Sequence, residues 1–330
     1  MATAQTPTRE AWEQKLRPET MASIEKLYGK TPNTVIDARP GQPVVDRKAL
    51  GGKAVRKQVT IHFSAHGIPY SLDGPQMHLL LYLPADKAKS PVFLGLNLNG
   101  NQSVGKDAGI LTSDVWVKDP GGSGRLLKLP PDDATRGANA VSWQVDKLIA
   151  AGYGIATIYF GDIEPDFDGG MKFGARSLFP DAGGWSAIGA LAWGLSRALD
   201  YLRTDSGVDS AKVAVIGQGR LGNAALWAAG QDTRFALVVA SGYTPVPGAE
   251  LPALIAPRPL YIAATQGDPN ADPKAESLSA ASAGRIYALF GSKGLGTDVG
   301  YHVRTGRHDV TEYDWDQFLA FAKMHWGESK

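Results

Sequence analysis

The sequence predicts an α/β fold in which a mostly parallel central sheet carries helices on both faces. Strand and helix candidates alternate from about residue 142 to the C-terminal part of the chain. The strand candidates in this part are continuous apolar runs, which is typical of parallel strands covered on both sides. Two β-rich segments nearer the N-terminus are joined by a turn that contains Gly and Pro, so antiparallel strands are expected there.

The N-terminal part is the least regular. A helix is predicted over 10–27 and a Pro- and Gly-rich connector over 32–43. We therefore expect residues 1–50 to form an extension ahead of one large domain over 51–330. Residues 99–138 are rich in Gly, Pro, Asp and Asn, and a segment of that length without periodicity is usually functional or disordered.

The remaining elements follow from hydrophobic periodicity and from Gly and Pro punctuation. Strands are predicted over 55–63, 77–83, 91–98, 154–160, 213–216, 236–240 and 260–264. Helices are predicted over 142–151, 185–201, 221–229, 273–288 and 313–325.

Composition and charge exclude several classes of protein. The 330 residues carry 34 Lys+Arg against 33 Asp+Glu, which argues against binding of nucleic acid or of an anionic membrane. The chain has no Cys, so disulfides, thiol catalysis and Cys-ligated metals are excluded. No run of 18 apolar residues could span a membrane.

One segment, residues 211–227, runs from a strand candidate through Gly217-x-Gly219-x-x-Gly222 into a helix candidate. This spacing is that of the dinucleotide-binding fingerprint, in which a helix N-terminus binds pyrophosphate. That fingerprint requires an acidic residue at the end of the next strand, whereas this chain has Ser241-Gly242 there. Arg220 also occupies a place where the backbone should approach the phosphate closely.

The alternative interpretation is a nucleophile elbow, the tight strand-to-helix turn of α/β-hydrolases. Small residues must flank the nucleophile because the strand and the helix pass close to each other, and Gly217 and Gly222 meet that requirement. Chain order agrees as well: the turn comes first, acidic residues follow a later strand, and a His lies near the C-terminus. The sequence therefore favours an α/β-hydrolase fold.

The same segment resembles the glucuronoyl esterases (4-O-methyl-glucuronoyl methylesterases), carbohydrate esterases with a Gly-x-Ser-Arg-x-Gly-Lys elbow. The resemblance covers most of the chain and includes residues 93–97, 152–159, 193–201, 220–227, 256–260 and 300–310. It implies an α/β-hydrolase fold and a reaction in which a Ser-His-acid triad hydrolyses glucuronic acid esters of the lignin–carbohydrate type.

The resemblance assigns catalytic positions to named residues. It places Gly219 where the family has its nucleophilic serine, so the attacking hydroxyl is absent. His308 matches the catalytic histidine, and Arg220 matches an arginine that stabilises the oxyanion, although an Arg that caps or pairs at a helix start explains it equally well. Asp268 and Asp272 are both candidates for the acid, and the position after the strand favours Asp268; Asp272-Pro273 is equally typical of a helix N-cap.

Further positions concern the substrate. Asn223 replaces a family lysine that binds sugar hydroxyls, and Arg136 and Trp143 match a segment that lines the cleft, with core packing as the alternative for Trp143. Ser241 is a second serine at the end of the next strand, but it has no elbow to present it. Four acidic residues form a group expected to be a solvated loop rather than a metal site: Asp162, Glu164, Asp166 and Asp168.

These observations predict a glucuronoyl-esterase-like protein whose activity is absent or very weak. The alternatives are a pseudo-hydrolase that binds carbohydrate or a partner without catalysis, and a dinucleotide-binding protein. A carbohydrate or glucuronate ester is the expected ligand; no cofactor or metal is implied, and the oligomeric state stays open. Since the family is usually exported and residues 1–7 lack the features of a signal peptide, we expect a secreted or periplasmic protein whose signal peptide is not in this chain, or a cytoplasmic one.

Overall fold

The computed structural model describes residues 7–165, 167–180, 182, 184–246, 250–269 and 271–327. Within these residues, ten strands form one sheet in the order β1-β3-β4-β8-β5-β9-β10-β11-β12, and β2 pairs with β3 beside β1. The strands from β8 to β12 in this order are parallel, whereas the pairs that involve β1 to β4 are antiparallel. The predicted α/β-hydrolase fold is therefore confirmed.

The strands of the described chain have the following bounds. They are β1 Ile36–Pro40, β2 Val44–Lys48, β3 Ala54–Ala65, β4 Gln76–Pro84, β5 Ser90–Asn97, β6 Val115–Lys118, β7 Leu126–Leu129, β8 Gly154–Tyr159, β9 Val208–Gln218, β10 Leu237–Ser241, β11 Leu260–Gln266 and β12 Val299–Thr305. Strands β6 and β7 form a separate antiparallel ribbon.

Among the described residues, six helices of six or more residues surround the sheet. They are α1 Arg17–Tyr28, α2 Val145–Ala150, α3 Ala187–Leu202, α4 Arg220–Gln231, α5 Pro273–Ala288 and α6 Glu312–Trp326. Shorter helical segments are Arg9–Ala11, Trp12–Leu16, Ala49–Gly52, Asn101–Val104, Asp133–Thr135, Ala140–Trp143, Phe160–Ile163, Gly170–Lys172, Ala175–Leu178 and Leu251–Ile255.

Alternation along β9 shows how the two faces of the sheet are covered. Val213 and Val215 belong to the core that packs against α1, α3, α4 and α5. Ala214 and Ile216 belong to the opposite core, which packs against α2 and α6. Each central strand therefore has two buried faces, which explains its uninterrupted apolar sequence.

Five strands of the described chain were not predicted from the sequence; one of them is β2, which pairs with β3 within the segment predicted as an extension. The predicted connector over 32–43 contains β1, which pairs antiparallel with the end of β3 at the sheet edge, where a terminal proline is tolerated. The irregular segment 99–138 contains the β6–β7 ribbon, whose strands have only four residues each. Strand β12 was missed because its burial decreases along the strand and its sequence is accordingly half polar.

The N-terminal segment packs closely on the rest of the chain. Trp12, Ile24 and Tyr28 are each at most 5% exposed. Tyr28 accepts a hydrogen bond from Asn223 Nδ2 in α4 at 3.0 Å. The division into an extension over 1–50 and a hydrolase domain over 51–330 stays a prediction, and the contacts of α1 suggest a test of it in the Discussion. In the part of the chain that is described, no helix is both long and apolar enough to cross a membrane.

Candidate active site

The turn between β9 and α4 is the centre of the site. Gly219 is the N-cap of α4 and has φ 56° and ψ −130°, a backbone conformation that an L-residue adopts only with strain. Its N–H donates to the Ser241 carbonyl at 2.8 Å, and its own carbonyl accepts the N–H of Gly222 at 2.9 Å. The turn therefore has the tight strand-to-helix geometry expected of a nucleophile elbow.

The flanking glycines are required by close packing. A Cβ atom on Gly217 would overlap the Leu221 carbonyl, and one on Gly222 would lie 3.1 Å from the Tyr243 Cβ. This is the close approach of strand and helix that the spacing of small residues predicted. The motif persists in this chain for a packing reason that does not depend on catalysis.

His308 lies against this turn. It belongs to the loop between β12 and α6, and a Cβ atom built on Gly219 would be 3.2 Å from its Nε2 atom. The ring also covers Gly242, where a Cβ atom would overlap His308 Cε1. The imidazole thus faces the position from which a serine side chain would project. Its Nδ1 atom is buried and has no hydrogen-bond partner among the described residues.

The two candidate acids have different environments. Asp268 follows β11, and its Oδ2 atom accepts the backbone N–H of His308 at 2.8 Å. Asp272 is the N-cap of α5, where its Oδ1 atom accepts the Ala275 N–H at 2.9 Å. The structure therefore brings Asp268 to the histidine loop, and it places Asp272 in the capping position that was the alternative interpretation of Asp272-Pro273.

Arg220, the first residue of α4, is exposed at the mouth of the site. Its guanidinium carbon lies 5.1 Å from the centre of the Phe160 ring, within the range of a cation–π contact. Phe160 begins the short helix that follows β8. The contact supports the arginine from the end of β8, which is separated from β9 by β5 in the sheet, and Arg220 lines the wall of the cavity.

A cavity of about 420 Å³ opens at the elbow. Four of the predicted site residues line it: Trp143, Gly219, Arg220 and His308. The described lining does not include the other four, which are Arg136, Asn223, Asp268 and Asp272. Further lining residues that the sequence did not single out are Asn97, Asn139, Ser142 and Trp315.

Asn223 and Arg136 have structural partners of their own. The Asn223 amide donates to Tyr28 and to the Thr244 carbonyl, and its Oδ1 atom accepts the Thr244 N–H at 3.0 Å. The side chain is only 3% exposed, so its hydrogen-bonding capacity is used inside the protein. Arg136 donates to the carbonyls of Asp107 and Ile110 and thereby holds the loop before β6.

The lining residues that sequence analysis missed come from three separate segments. Trp315 in α6 donates its Nε1–H to the Ser142 carbonyl at 2.8 Å, which ties the helix before α2 to α6 across the cavity. Asn97 ends β5 and donates to Asn101 and Thr157. The only sequence signal for these residues was their presence at strand ends or in the matched segments, and that does not show which side chains face a cavity.

Two members of the acidic group after β8, Asp162 and Glu164, are buried and so differ from the prediction of a solvated loop, whereas Asp168 is exposed as predicted. The Asp162 side chain is fully buried and accepts hydrogen bonds from the backbone N–H and Nδ1 of His78 at 3.0 and 2.9 Å. Glu164 is buried in an ion pair with Arg176. Their burial follows from the short helix Phe160–Ile163, which turns the chain back over the sheet. Asp166 lies outside the described residues.

A buried network next to His308 supports its loop. His302 on β12 lies 2.8 Å from Asp314 Oδ1 through its Nε2 atom, as expected for a structural histidine. Arg304 also donates to Asp314, and the Asp314 carboxylate accepts the N–H of Thr311 in a capping box at the start of α6. Burial alone would raise the pKa of Asp314, but the hydrogen bonds from His302, Thr311 and Arg304 lower it.

Known proteins with a similar sequence and structure identify the family of this chain. The fungal glucuronyl esterase model matches residues 131–244. A glucuronoyl esterase from Solibacter usitatus is 40% identical, with a TM-score of 0.88 over 97% of this chain and 95% of that one. Carbohydrate esterase MZ0003, from an unknown prokaryotic organism, is 38% identical over 95% of this chain and 85% of its own length.

The chain belongs to the glucuronoyl esterase family. A promiscuous family 15 carbohydrate esterase from a marine bacterial metagenome gives the same result, with 36% identity and a TM-score of 0.83 over 97% of this chain and 93% of its own. The resemblance inferred from the elbow is therefore confirmed at the level of the family.

Proposed function

We propose that this protein is a glucuronoyl esterase homologue that binds a glucuronate ester, or a related carbohydrate acid, without serine-based turnover. The observation that carries the proposal is the relation between Gly219 and His308. A Cβ atom built on residue 219 would lie 3.2 Å from the Nε2 atom of His308, so a nucleophilic side chain at this position would start beside the imidazole. Gly219 has no side chain. The elbow and the histidine of a serine esterase are present, whereas an attacking atom at position 219 is not.

The consequence for mechanism is specific. In the serine route, the hydroxyl oxygen attacks the ester carbonyl while histidine takes its proton and then returns it to the leaving alcohol. Here His308 can act only on a water molecule, whose oxygen would attack the carbonyl while the proton passes to Nε2 and on to the alcohol. An unpositioned water lacks the advantage of a fixed nucleophile, so this route is slow.

The neighbouring residues have supporting roles in the proposal. Asp268 holds the histidine loop through the backbone N–H of His308, and it is our choice for the family acid. Arg220 presents a fixed cation at the mouth of the cavity, where negative charge develops on the ester oxygen. Trp143 supplies an aromatic wall for the ligand.

The decisive experiment compares hydrolysis of benzyl D-glucuronate by the wild type and three variants. We expect the wild type to be no faster than His308→Ala and expect Gly219→Ser to raise kcat/KM by at least 100-fold. The serine requires the imidazole to move by only a few tenths of an ångström. The double variant Gly219→Ser/His308→Ala should lose the gain, which would show that the new activity uses the inherited histidine.

Two outcomes would contradict the proposal. Wild-type turnover well above the His308→Ala control would show that catalysis persists, and Ser241→Ala would then test whether the buried Ser241 supplies it. Failure of D-glucuronate to bind the wild type in calorimetry would remove the binding function. The dinucleotide alternative stays a prediction of the Gly spacing alone; saturable NAD binding at micromolar concentration would favour it over ours.

A further inference from the structure

A second cavity of about 250 Å³ lies on the antiparallel side of the sheet, away from the elbow. Its floor is formed by neighbouring side chains of β3 and β4. His78 is directly opposite Thr60, and His62 is two residues further along β3, on the same face of the sheet. Diagonal cross-strand neighbours of this kind are close enough for long side chains to meet, and both imidazoles line the cavity.

Asp162 determines the orientation of His78. The buried carboxylate, which is not among the described lining residues, lies 2.9 Å from His78 Nδ1 and also accepts the backbone N–H of the same residue. A proton on Nδ1 satisfies this contact, and Nε2 then carries the lone pair of a residue that lines the cavity. A histidine held by a carboxylate in this way is the usual arrangement of a metal-binding imidazole.

His62 is held by a ring contact. It stacks on Tyr70 with centroids 4.3 Å apart and planes at 13°. Its Nε2 atom lies 3.9 Å from the Cβ position of Gly41, another lining residue, which places this nitrogen beside the cavity. The residue is 92% buried, and its Nδ1 atom has no hydrogen-bond partner in the described chain.

The segment 107–111 lies beside the cavity and is attached to β3 and β4 by side-chain contacts. Gln58 uses both ends of its amide, donating to the Gly109 carbonyl at 3.0 Å and accepting the Leu111 N–H at 2.7 Å. Arg56 forms an ion pair with Asp107, and Tyr82 donates to the same carboxylate at 2.7 Å. The cavity is therefore part of the folded structure, and its walls do not depend on a ligand.

The chemistry of the walls selects one class of ligand. The described lining contains no carboxylate, so Ca²⁺ and Mg²⁺ lack the oxygen ligands they prefer. The described lining contains no Lys or Arg, so an anion would find no cationic side chain there. Neutral imidazole is a preferred ligand of Zn²⁺, Ni²⁺ and Cu²⁺.

We propose that His62 and His78 bind one divalent transition-metal ion in this cavity, separately from the esterase cleft. No group of three or more His, Asp or Glu in the described chain is arranged for a metal, so the ion has two protein nitrogens. Water and the hydroxyl of Ser113, which is buried without a partner in the described chain, complete its coordination. Such an open site gives micromolar affinity.

The test is titration of the metal-free full chain with ZnSO₄ by calorimetry, supported by Cu²⁺ electron paramagnetic resonance. We expect one ion per chain and hyperfine coupling to two nitrogens. His62→Phe keeps a ring that can stack on Tyr70 but removes both nitrogens, and it should weaken binding at least tenfold. His78→Ala removes the side-chain partner of the buried Asp162 and keeps only the backbone N–H, so the fold of this variant is verified first by circular dichroism.

The matched control is His66→Ala. His66 is a 72% exposed histidine that pairs with Asp37 outside the cavity, and its loss should leave affinity unchanged. Equal affinity in the wild type and His62→Phe, loss of binding in His66→Ala, or only millimolar binding by the wild type would each overturn the proposal. None of these readouts depends on esterase activity, so the result is independent of the function proposed above.

Discussion

Two glycines next to His308 determine what the elbow can accommodate. Gly219 has the φ of 56° that the turn requires, and Gly242 with φ 53° lies beneath the imidazole. Glycine avoids backbone strain at position 219 and leaves space for the His308 imidazole at position 242. Glycine therefore fits the turn at position 219 without a structural penalty, as the proposal of a lost nucleophile requires.

Gly242→Ala should displace His308. The new methyl group would overlap the imidazole and also force an L-residue into a left-handed conformation, so we expect a loss of about 2–3 kcal/mol in the free energy of unfolding. In a Gly219→Ser background it should abolish the recovered activity. Urea denaturation and ester hydrolysis measure the two effects.

The control for this variant is Gly67→Ala. Gly67 has φ 78° but no atom within 4 Å of its Cβ position, so it measures backbone strain without overlap. Equal destabilisation by the two alanines would contradict the claim that His308 occupies the space over Gly242.

At the scale of secondary-structure elements, the loop after β11 and the start of α5 have different roles. The loop after β11 holds Asp268 against the backbone of His308, and four residues later Asp272 starts α5. Sequence reasoning left both as candidate acids because each follows the same strand. Their partners distinguish them: one carboxylate contacts the next loop, and the other contacts its own helix.

Asp272→Ala should cost about 1 kcal/mol of stability through loss of the N-cap, with little effect on the activity of a Gly219→Ser protein. Asp268→Ala should instead reduce that activity at least tenfold, because the His308 loop loses its anchor. Thermal unfolding and ester hydrolysis are measured on both. A larger activity loss for Asp272→Ala would reverse our assignment.

At the scale of the whole molecule, one buried acid couples stability to pH. Glu276 in α5 is fully buried, and neither carboxylate oxygen has a partner in the described chain. Burial, with a smaller contribution from Asp272, raises its pKa from 4.5 to about 8. Between these values the unfolded chain releases the proton that the folded chain retains, so stability falls as pH rises.

We therefore expect the free energy of unfolding to decrease from about pH 4.5 to pH 8 by at most about 1.4 kcal/mol per pH unit through this residue. Glu276→Gln should remove that slope and be more stable than the wild type at pH 8. Urea unfolding at several pH values is the measurement. A variant with the same slope as the wild type would show that Glu276 is not responsible.

The contacts of helix α1 allow a test of the predicted division between an extension over 1–50 and a domain over 51–330. Ile24 is fully buried, and Tyr28 accepts a hydrogen bond from Asn223, which lies in α4 beside the elbow. Removal of residues 1–29 exposes that core and leaves the Asn223 amide without one partner, so we expect the Tm to fall by several degrees. Calorimetry of the truncated chain measures this. An unchanged Tm would support an extension that is independent of the hydrolase domain.

Much of the fold could be predicted because buried parallel strands have a distinctive sequence. Each of β5, β8, β9, β10 and β11 contains a continuous buried apolar run, and these runs were all found. The strands β1, β2, β6, β7 and β12 were not, because edge strands and short ribbons are half exposed and have weaker patterns. The elbow was recognisable because its glycine spacing has a local cause.

The sequence by itself determined the family, the α/β-hydrolase fold and the absence of a serine at position 219, because these depend on residue identity and local spacing. Only the tertiary structure decided that Asp268 rather than Asp272 reaches His308, and that Asn223 is turned inward to Tyr28. It also showed that His62 and His78 share a cavity. These facts depend on which distant segments meet, and packing of the whole chain decides that.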